Sequence, residues 1–285
     1  AMYYNNLSTE ELEKNFNPRE SVENFSHYLE DSLLKSKDVK KKTHIYENIA
    51  YGKGPLQKLD IFGKNNKEDL KPLHIFIHGG YWRALDKDYH AHMSVPFNKN
   101  NILFFNINYD LCPKVTLSDI CDQAIEGIIW IFNNSKNYGG NNKKISISGH
   151  SAGAHLVSYL LSIDWSKYDL PKKIFQGAAL ISGIYNLKIV QKISVNKELN
   201  LSNKEVQEKT TLNKLPTFKI PLFISYGENE PEGWKHQSIS YCDFLTKNDY
   251  KYKVIASKGD NHFTLIDTLA NENSNICKEI IKLSK

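Results

Sequence analysis

One pentapeptide constrains this chain more than any other stretch: Gly149-His150-Ser151-Ala152-Gly153. It follows the alternating run Lys144-Ile145-Ser146-Ile147-Ser148, which has the period and β-branching of a strand. It precedes Ala154-His155-Leu156-Val157-Ser158-Tyr159-Leu160-Leu161, where apolar residues recur at helical spacing. Gly-x-Ser-x-Gly between a strand and a helix describes a nucleophile elbow. The serine sits on a sharp, strained turn, and the flanking glycines leave room for backbones that pass close by. An ordinary strand-to-helix turn is the competing reading, and the remaining chain has to decide between them.

With 285 residues, 40% of them hydrophobic and 12% aromatic, the chain can bury a substantial core in one large α/β domain. The net charge of +5 is mild, and no clustered basic face marks a nucleic-acid binder. The short run Lys40-Lys41-Lys42 reads as a solvated linker. Cys112, Cys121, Cys242 and Cys277 show neither C-x-x-C pairing nor compact spacing, so reduced, buried thiols are expected rather than disulfides or zinc. No apolar stretch reaches the ~18 residues of a membrane span. The N-terminal residues lack the charged and apolar regions of a signal peptide, and Ala1 ahead of Met2 reads as an expression remnant. The expected location is the cytoplasm. A homodimer is left open.

Residues 8–36 read as helical. Ser8 and Glu11 have capping-box spacing, Asn17-Pro18 breaks the first helix, and Val22, Phe25, Leu29 and Leu33 form a stripe on a second. This arm, residues 1–42, serves either as a lid or as a packing element. From residue 43 to 285, near-continuous apolar strands alternate with helices. Examples are Leu73–Ile77, Ile102–Ile107, Phe175–Ile181 and Ile220–Tyr226, with a long helix over 116–134. That rhythm predicts a mostly parallel sheet covered by helices on both faces. The polar segment 186–217 interrupts it and reads as a small cap-like insertion over the C-terminal edge of the sheet, where ligands bind in open α/β folds.

A serine hydroxyl needs a base within hydrogen-bond reach, and the base needs an acid to set its tautomer. In this fold the order along the chain is Ser, acid, His. His262, in the loop after the last strand, is the base; His236, the other candidate after the acid loop, falls inside a predicted helix. The acid belongs in Gly227-Glu228-Asn229-Glu230-Pro231-Glu232. Glu230 is preferred, Glu228 comes next and Asp260 third. An oxyanion hole requires two or more N–H donors at ~3 Å. Ala152 supplies one. Gly80 and Tyr81, with Gly79 as a further option, supply the others from His78-Gly79-Gly80-Tyr81-Trp82. Tyr81 and Trp82 are expected to line the substrate site. His90 with His92, and His150 with His155, lack a carboxylate partner, so no metal is expected and no cofactor is needed.

These motifs resemble the kynurenine formamidase (arylformamidase) branch of the α/β-hydrolase superfamily, near the hormone-sensitive-lipase-like esterases. The likeness is carried by His78-Gly79-Gly80-Tyr81-Trp82 together with the elbow. Leu59-Asp60-Ile61-Phe62, Tyr109-Asp110-Leu111-Cys112-Pro113, the Gly227–Glu232 loop with Gln237-Ser238, and Asn261-His262-Phe263 agree with it. It runs from about residue 43 to the end. One departure is that the family's acid is usually Asp, where this chain has Glu230. The resemblance implies an α/β-hydrolase that converts N-formyl-L-kynurenine to formate and kynurenine in tryptophan breakdown. Tyr81 and Trp82 would stack on the aryl group, and Arg83 or Lys87 would meet the amino-acid carboxylate. A carboxylesterase on small acyl esters is the alternative within the same machinery. A non-catalytic hydrolase-like binding protein is the reading from another class.

Overall fold

The computed structural model describes residues 3–285; Ala1 and Met2, including the expected expression remnant, lie outside them. Three helices come first: α1 (Thr9–Phe16), α2 (Pro18–Ser21) and α3 (Phe25–Lys42). The Ser8–Glu11 capping box forms as expected. Asn17 closes α1, and its side chain accepts from the Arg19 amide to start α2, with Pro18 in the first turn, where its missing N–H costs nothing. The run Lys40-Lys41-Lys42 is the last turn of α3 rather than a linker. Cations there face the negative end of the helix dipole, and Lys40 Nζ lies 2.6 Å from Asp88 Oδ1.

The α/β body follows as β1 (Ile45–Ala50), β2 (Lys58–Phe62), β3 (Lys71–Ile77), α4 (Ser94–Lys99), β4 (Leu103–Ile107), α5 (Leu117–Asn134), β5 (Gly140–His150) and α6 (Ala152–Leu161). It continues with β6 (Phe175–Ile181), α7 (Asn196–Leu199), α8 (Asn203–Lys209), β7 (Leu222–Gly227), α9 (Glu232–Lys247), β8 (Lys253–Ser257), α10 (Thr264–Ala270) and α11 (Asn275–Ser284). The strands form one sheet in the order β1-β2-β4-β3-β5-β6-β7-β8. β2 pairs antiparallel with both β1 and β4, and every pairing from β4 to β8 is parallel.

Strand alternation divides the core between the two faces. Ile75, Ile77, Phe105 and Ile147 pack with Ile120 and Ile128 of α5 and Leu156 and Leu160 of α6. Phe76, Phe104, Ala179 and Phe223 pack with Phe97 of α4, Leu265 of α10 and Ile280 of α11. The parallel register brings Ile77 level with Gly149, His150 with Ile181, and Gly227 with Ser257. The loops leaving those strands therefore converge at one edge.

The arm packs through the expected side of its second long helix, with serines at the centre of the contact. On α3 the buried residues are Ser32 and Ser36, while Phe25, Leu29 and Leu33 are only half-buried. Ser36 Oγ lies 2.8 Å from His92 Nδ1, and Lys35 Nζ lies 3.2 Å from Asp267 Oδ1, so α3 docks through polar as well as aromatic contacts. The segment 186–217 carries α7 and α8. It touches α1 through Ser194 Oγ and Glu13 Oε2 (3.0 Å), and the start of α5 through the Ser118 amide and Glu205 Oε2 (2.8 Å).

A buried ion pair anchors the loop after β3. Lys87 Nζ lies 3.1 Å from Asp60 Oδ2, and the two side chains are 3% and 0% exposed. Burial pushes the Asp60 carboxyl up despite the pull of Lys87. Without Asp60, Lys87 would keep only the partly exposed Asp88, at 3.2 Å, as counter-charge. Asp60→Ala is therefore expected to lower unfolding stability by about 3 kcal/mol, read from urea denaturation.

Candidate active site

Ser151 stands between the last residue of β5 and the first of α6, with φ 61° and ψ −121°. A positive φ is costly for a residue with a Cβ, and it persists only where the surroundings enforce it. Here the Ser151 amide donates to the Ile181 carbonyl of β6 at 2.9 Å. The start of α6 presses against the end of β3, so that a Cβ on Gly153 would overlap the Ile77 carbonyl oxygen. Only glycine admits this approach.

Ser151 Oγ lies 2.9 Å from His262 Nε2, and His262 Nδ1 lies 2.6 Å from Glu230 Oε1. With the proton on Nδ1, the ring donates to the carboxylate and Nε2 is free to accept from the serine. All three residues are buried. Glu230 is further held by the Gly227 amide, which donates to Oε2 at 2.7 Å. The rival acids lie elsewhere. Glu228 is exposed, and the Asp260 carboxylate accepts from Ser257 and Thr268 instead. His236 lies within α9.

Ser182, directly after β6, belongs to this cluster and escaped sequence reading. Its hydroxyl donates to Glu230 Oε1 at 2.5 Å and lies 3.0 Å from His262 Nδ1. The Trp234 indole N–H donates in turn to Ser182 Oγ at 2.9 Å. The available signal was positional: Ser182 follows the strand beside the elbow strand, at the edge where the other site residues gather. On the other side, the His150 ring packs 4.7 Å from that of His262, and its Nε2 lies 3.0 Å from the His262 carbonyl. Burial and the neighbouring His262 hold His150 well below the ordinary histidine range, so it is a neutral support.

The turn after β3 lies against the serine. A Cβ on Gly79 would stand 2.9 Å from Ser151 Cβ, and Gly80 has φ +113°. Among the described residues, the backbone N–H groups of Gly80, Tyr81 and Ala152 make no backbone hydrogen bond. The turn is fixed from behind, where the His78 carbonyl accepts from Tyr109 Oη at 2.7 Å and His78 Nε2 lies 3.0 Å from Asn108 Oδ1.

One of the two expectations about aromatic lining needs correction. Trp82 is fully buried and does not line the cavity above Ser151. Successive left-handed residues, Tyr81 (φ 53°) and Trp82 (φ 57°), turn the indole inward, edge-on to His155 of α6 at 5.0 Å. Tyr81 does line the cavity, but it is buried, and its hydroxyl donates to the Phe16 carbonyl at 2.5 Å. Lys87 is likewise absent from the lining, being held by Asp60.

The cavity is walled by Gly80, Tyr81, His150, Ser151 and His262 on the sheet side, and by Asn17, Pro18, Arg19, Tyr28, Leu29 and Ser32 on the arm side. Phe263 sits between them. Its ring stacks with those of Phe25 (5.9 Å) and Tyr28 (6.3 Å). None of residues 186–217 lines the cavity, so the element over the serine is the N-terminal arm. Among the described residues, no group of three or more His, Cys, Asp or Glu is arranged to hold a metal ion.

The BD-FAE family model matches residues 59–231, from β2 through the loop bearing Glu230. The chain belongs to the BD-FAE family. It is similar to the kynurenine formamidase of Salmo salar, at 26% identity over 98% of this chain and 98% of that protein. It is also similar to the kynurenine formamidase of Danio rerio, at 27% identity over 85% and 82%. Among solved structures, esterase B of Lactobacillus Rhamnosis superposes with a TM-score of 0.71 at 15% identity, covering 91% of this chain and 94% of that one. This BD-FAE member is thus a hydrolase with the α/β-hydrolase fold.

Ser182→Ala removes a donor to Glu230 and leaves the Trp234 N–H with one acceptor fewer. It is expected to lower kcat on a 4-nitrophenyl ester by about tenfold, at ~1–2 kcal/mol per hydrogen bond to a charged group, with KM little changed.

Proposed function

We propose that this chain hydrolyses N-formyl-L-kynurenine to formate and kynurenine, a step of tryptophan breakdown, through a formyl-enzyme on Ser151. The observation that carries the chemistry is the 2.9 Å contact between Ser151 Oγ and His262 Nε2, with Glu230 on the far nitrogen. The similarity to kynurenine formamidases over most of the chain supports the substrate.

In this reading Ser151 Oγ attacks the formyl carbon and its proton passes to His262 Nε2. Glu230 stabilises the resulting imidazolium. The amides of Gly80, Tyr81 and Ala152, with Gly79 allowing the close approach, hold the oxyanion. Collapse of the tetrahedral intermediate breaks the C–N bond as His262 protonates the departing arylamine. Water then attacks the formyl ester and gives a proton to His262, which passes that proton to Ser151 Oγ as the ester C–O bond breaks and formate leaves. Close packing of the Gly79 turn on Ser151 suits an acyl group as small as formyl. The N-terminal arm serves as the lid, and Tyr28 and Phe263 provide the aryl-facing surface that Trp82 does not. A cytoplasmic location accords with four free, buried cysteines.

Ser151→Ala is expected to lower kcat for formate release by about 10⁴–10⁶-fold. Glu230→Gln should cost about 10²–10⁴-fold, and Glu228→Gln less than about twofold. Formate release from N-formylkynurenine, set against hydrolysis of short 4-nitrophenyl esters, tests the substrate. Efficient ester turnover without formate would make the chain a carboxylesterase.

A further inference from the structure

The cavity wall carries a cation that no carboxylate contacts among the described residues. Its described lining contains two arginines, Arg19 and Arg83, and no aspartate or glutamate. Arg83 is committed, since its Nη1 lies 2.5 Å from Glu198 Oε1. Arg19, in the second of the three N-terminal helices, forms no ion pair among the described residues. Its guanidinium lies over the Phe25 ring, 5.1 Å from the centroid. That contact holds the side chain in place while leaving its N–H donors without a carboxylate. Burial and the nearby Arg83 cation both press the Arg19 pKa down, only partly offset by Glu198 and Tyr89. A half-buried cation beside a second cation, on the wall of a cavity lacking acids, is stabilised by an incoming anion. Arginine suits a carboxylate best, because its planar fork can donate two parallel N–H bonds.

We propose that Arg19 is the anchor for a carboxylate carried on the substrate's leaving group, and that it makes the enzyme selective for anionic over neutral substrates. This rests on the formamidase reading, in which the formyl side has no carboxylate and the amino-acid head of the leaving group does. Arg83, although it lines the same cavity, is withheld by Glu198. The anchor is therefore carried by the arm that roofs the site. Arg19 is a binding and specificity residue; it takes no part in proton transfer.

The test uses the full chain and two aryl formamides, N-formyl-L-kynurenine and 2-formamidoacetophenone, which keeps the aryl ketone and lacks the charged head. Three variants are compared: Arg19→Ala, Arg19→Met, which keeps the apolar stem over Phe25, and Arg19→Lys. Arg19→Ala and Arg19→Met are expected to raise KM for N-formyl-L-kynurenine by about 10–100-fold, as for loss of a charge-assisted hydrogen bond. The kcat value and all constants for 2-formamidoacetophenone should stay within about threefold, and Arg19→Lys should restore part of the affinity. Equal losses on both substrates would make Arg19 a structural residue of the arm, and unchanged KM on both would remove it from recognition. Either result overturns the proposal. If the unmodified enzyme releases no formate, the formamidase reading fails on its own. The same variants are then compared on 3-acetoxybenzoate and phenyl acetate. A KM increase confined to the anionic ester upholds the anchor, and its absence overturns it.

Discussion

The site depends on a close approach between two backbones. The first turn of α6 lies against the end of β3, with no room for a side chain at Gly153. That contact fixes the distance between the turn that carries Ser151 and the turn that carries Gly79 and Gly80. The Ser151 hydroxyl and the amides of that turn are therefore brought together by main chain, with the Tyr109 and Tyr81 hydroxyls steadying the turn. The cost is a serine at φ 61°, kept there by the Ile181 carbonyl and by helix and strand on either side. Strain of this kind is stored where a fold over-determines its conformation.

The Glu230–His262 pair is held with similar redundancy. Both Glu230 oxygens are occupied, by His262 and Ser182 on one side and by the Gly227 amide on the other. Trp234 holds Ser182, and the His150 ring packs against that of His262. A Glu reaches one methylene further than an Asp, and this chain accommodates it by folding the carboxylate back onto the amide of Gly227, three residues earlier.

How much was legible in the sequence follows from the range of the interactions involved. Strand and helix periodicity reported the α/β body, because burial on a sheet or helix face imposes a local repeat. Phe104 and Phe105, adjacent in sequence, pack on opposite faces as period two requires. The order of Ser151, Glu230 and His262 was readable because each sits at a fixed place after a strand. Trp82 was misread because two successive left-handed residues reverse where a side chain points, and ordinary propensity does not register them. The role of the arm was hidden for another reason. Its docking face carries the buried Ser32 and Ser36 among the half-buried Phe25, Leu29 and Leu33, so hydrophobic periodicity found the right side of α3 and missed the polar contacts at its centre. The segment 186–217 looked like a cover because it is an insertion, yet it reaches α1, α5, α6 and Arg83 without lining the cavity itself.

The hydrogen bond from Tyr81 to the Phe16 carbonyl joins two elements far apart in the chain, the turn beside Ser151 and the end of α1. Because coupling free energies are reciprocal, whatever steadies one end steadies the other. A molecule lodged in the cavity would therefore slow hydrogen exchange throughout the N-terminal arm, including residues it never touches. Conversely, local fraying of α1 would blur the aim of the Tyr81 amide while leaving the sheet intact. Stability and competence are in this way separable within one chain, with the first residing in the sheet and the second shared with its N-terminal helices.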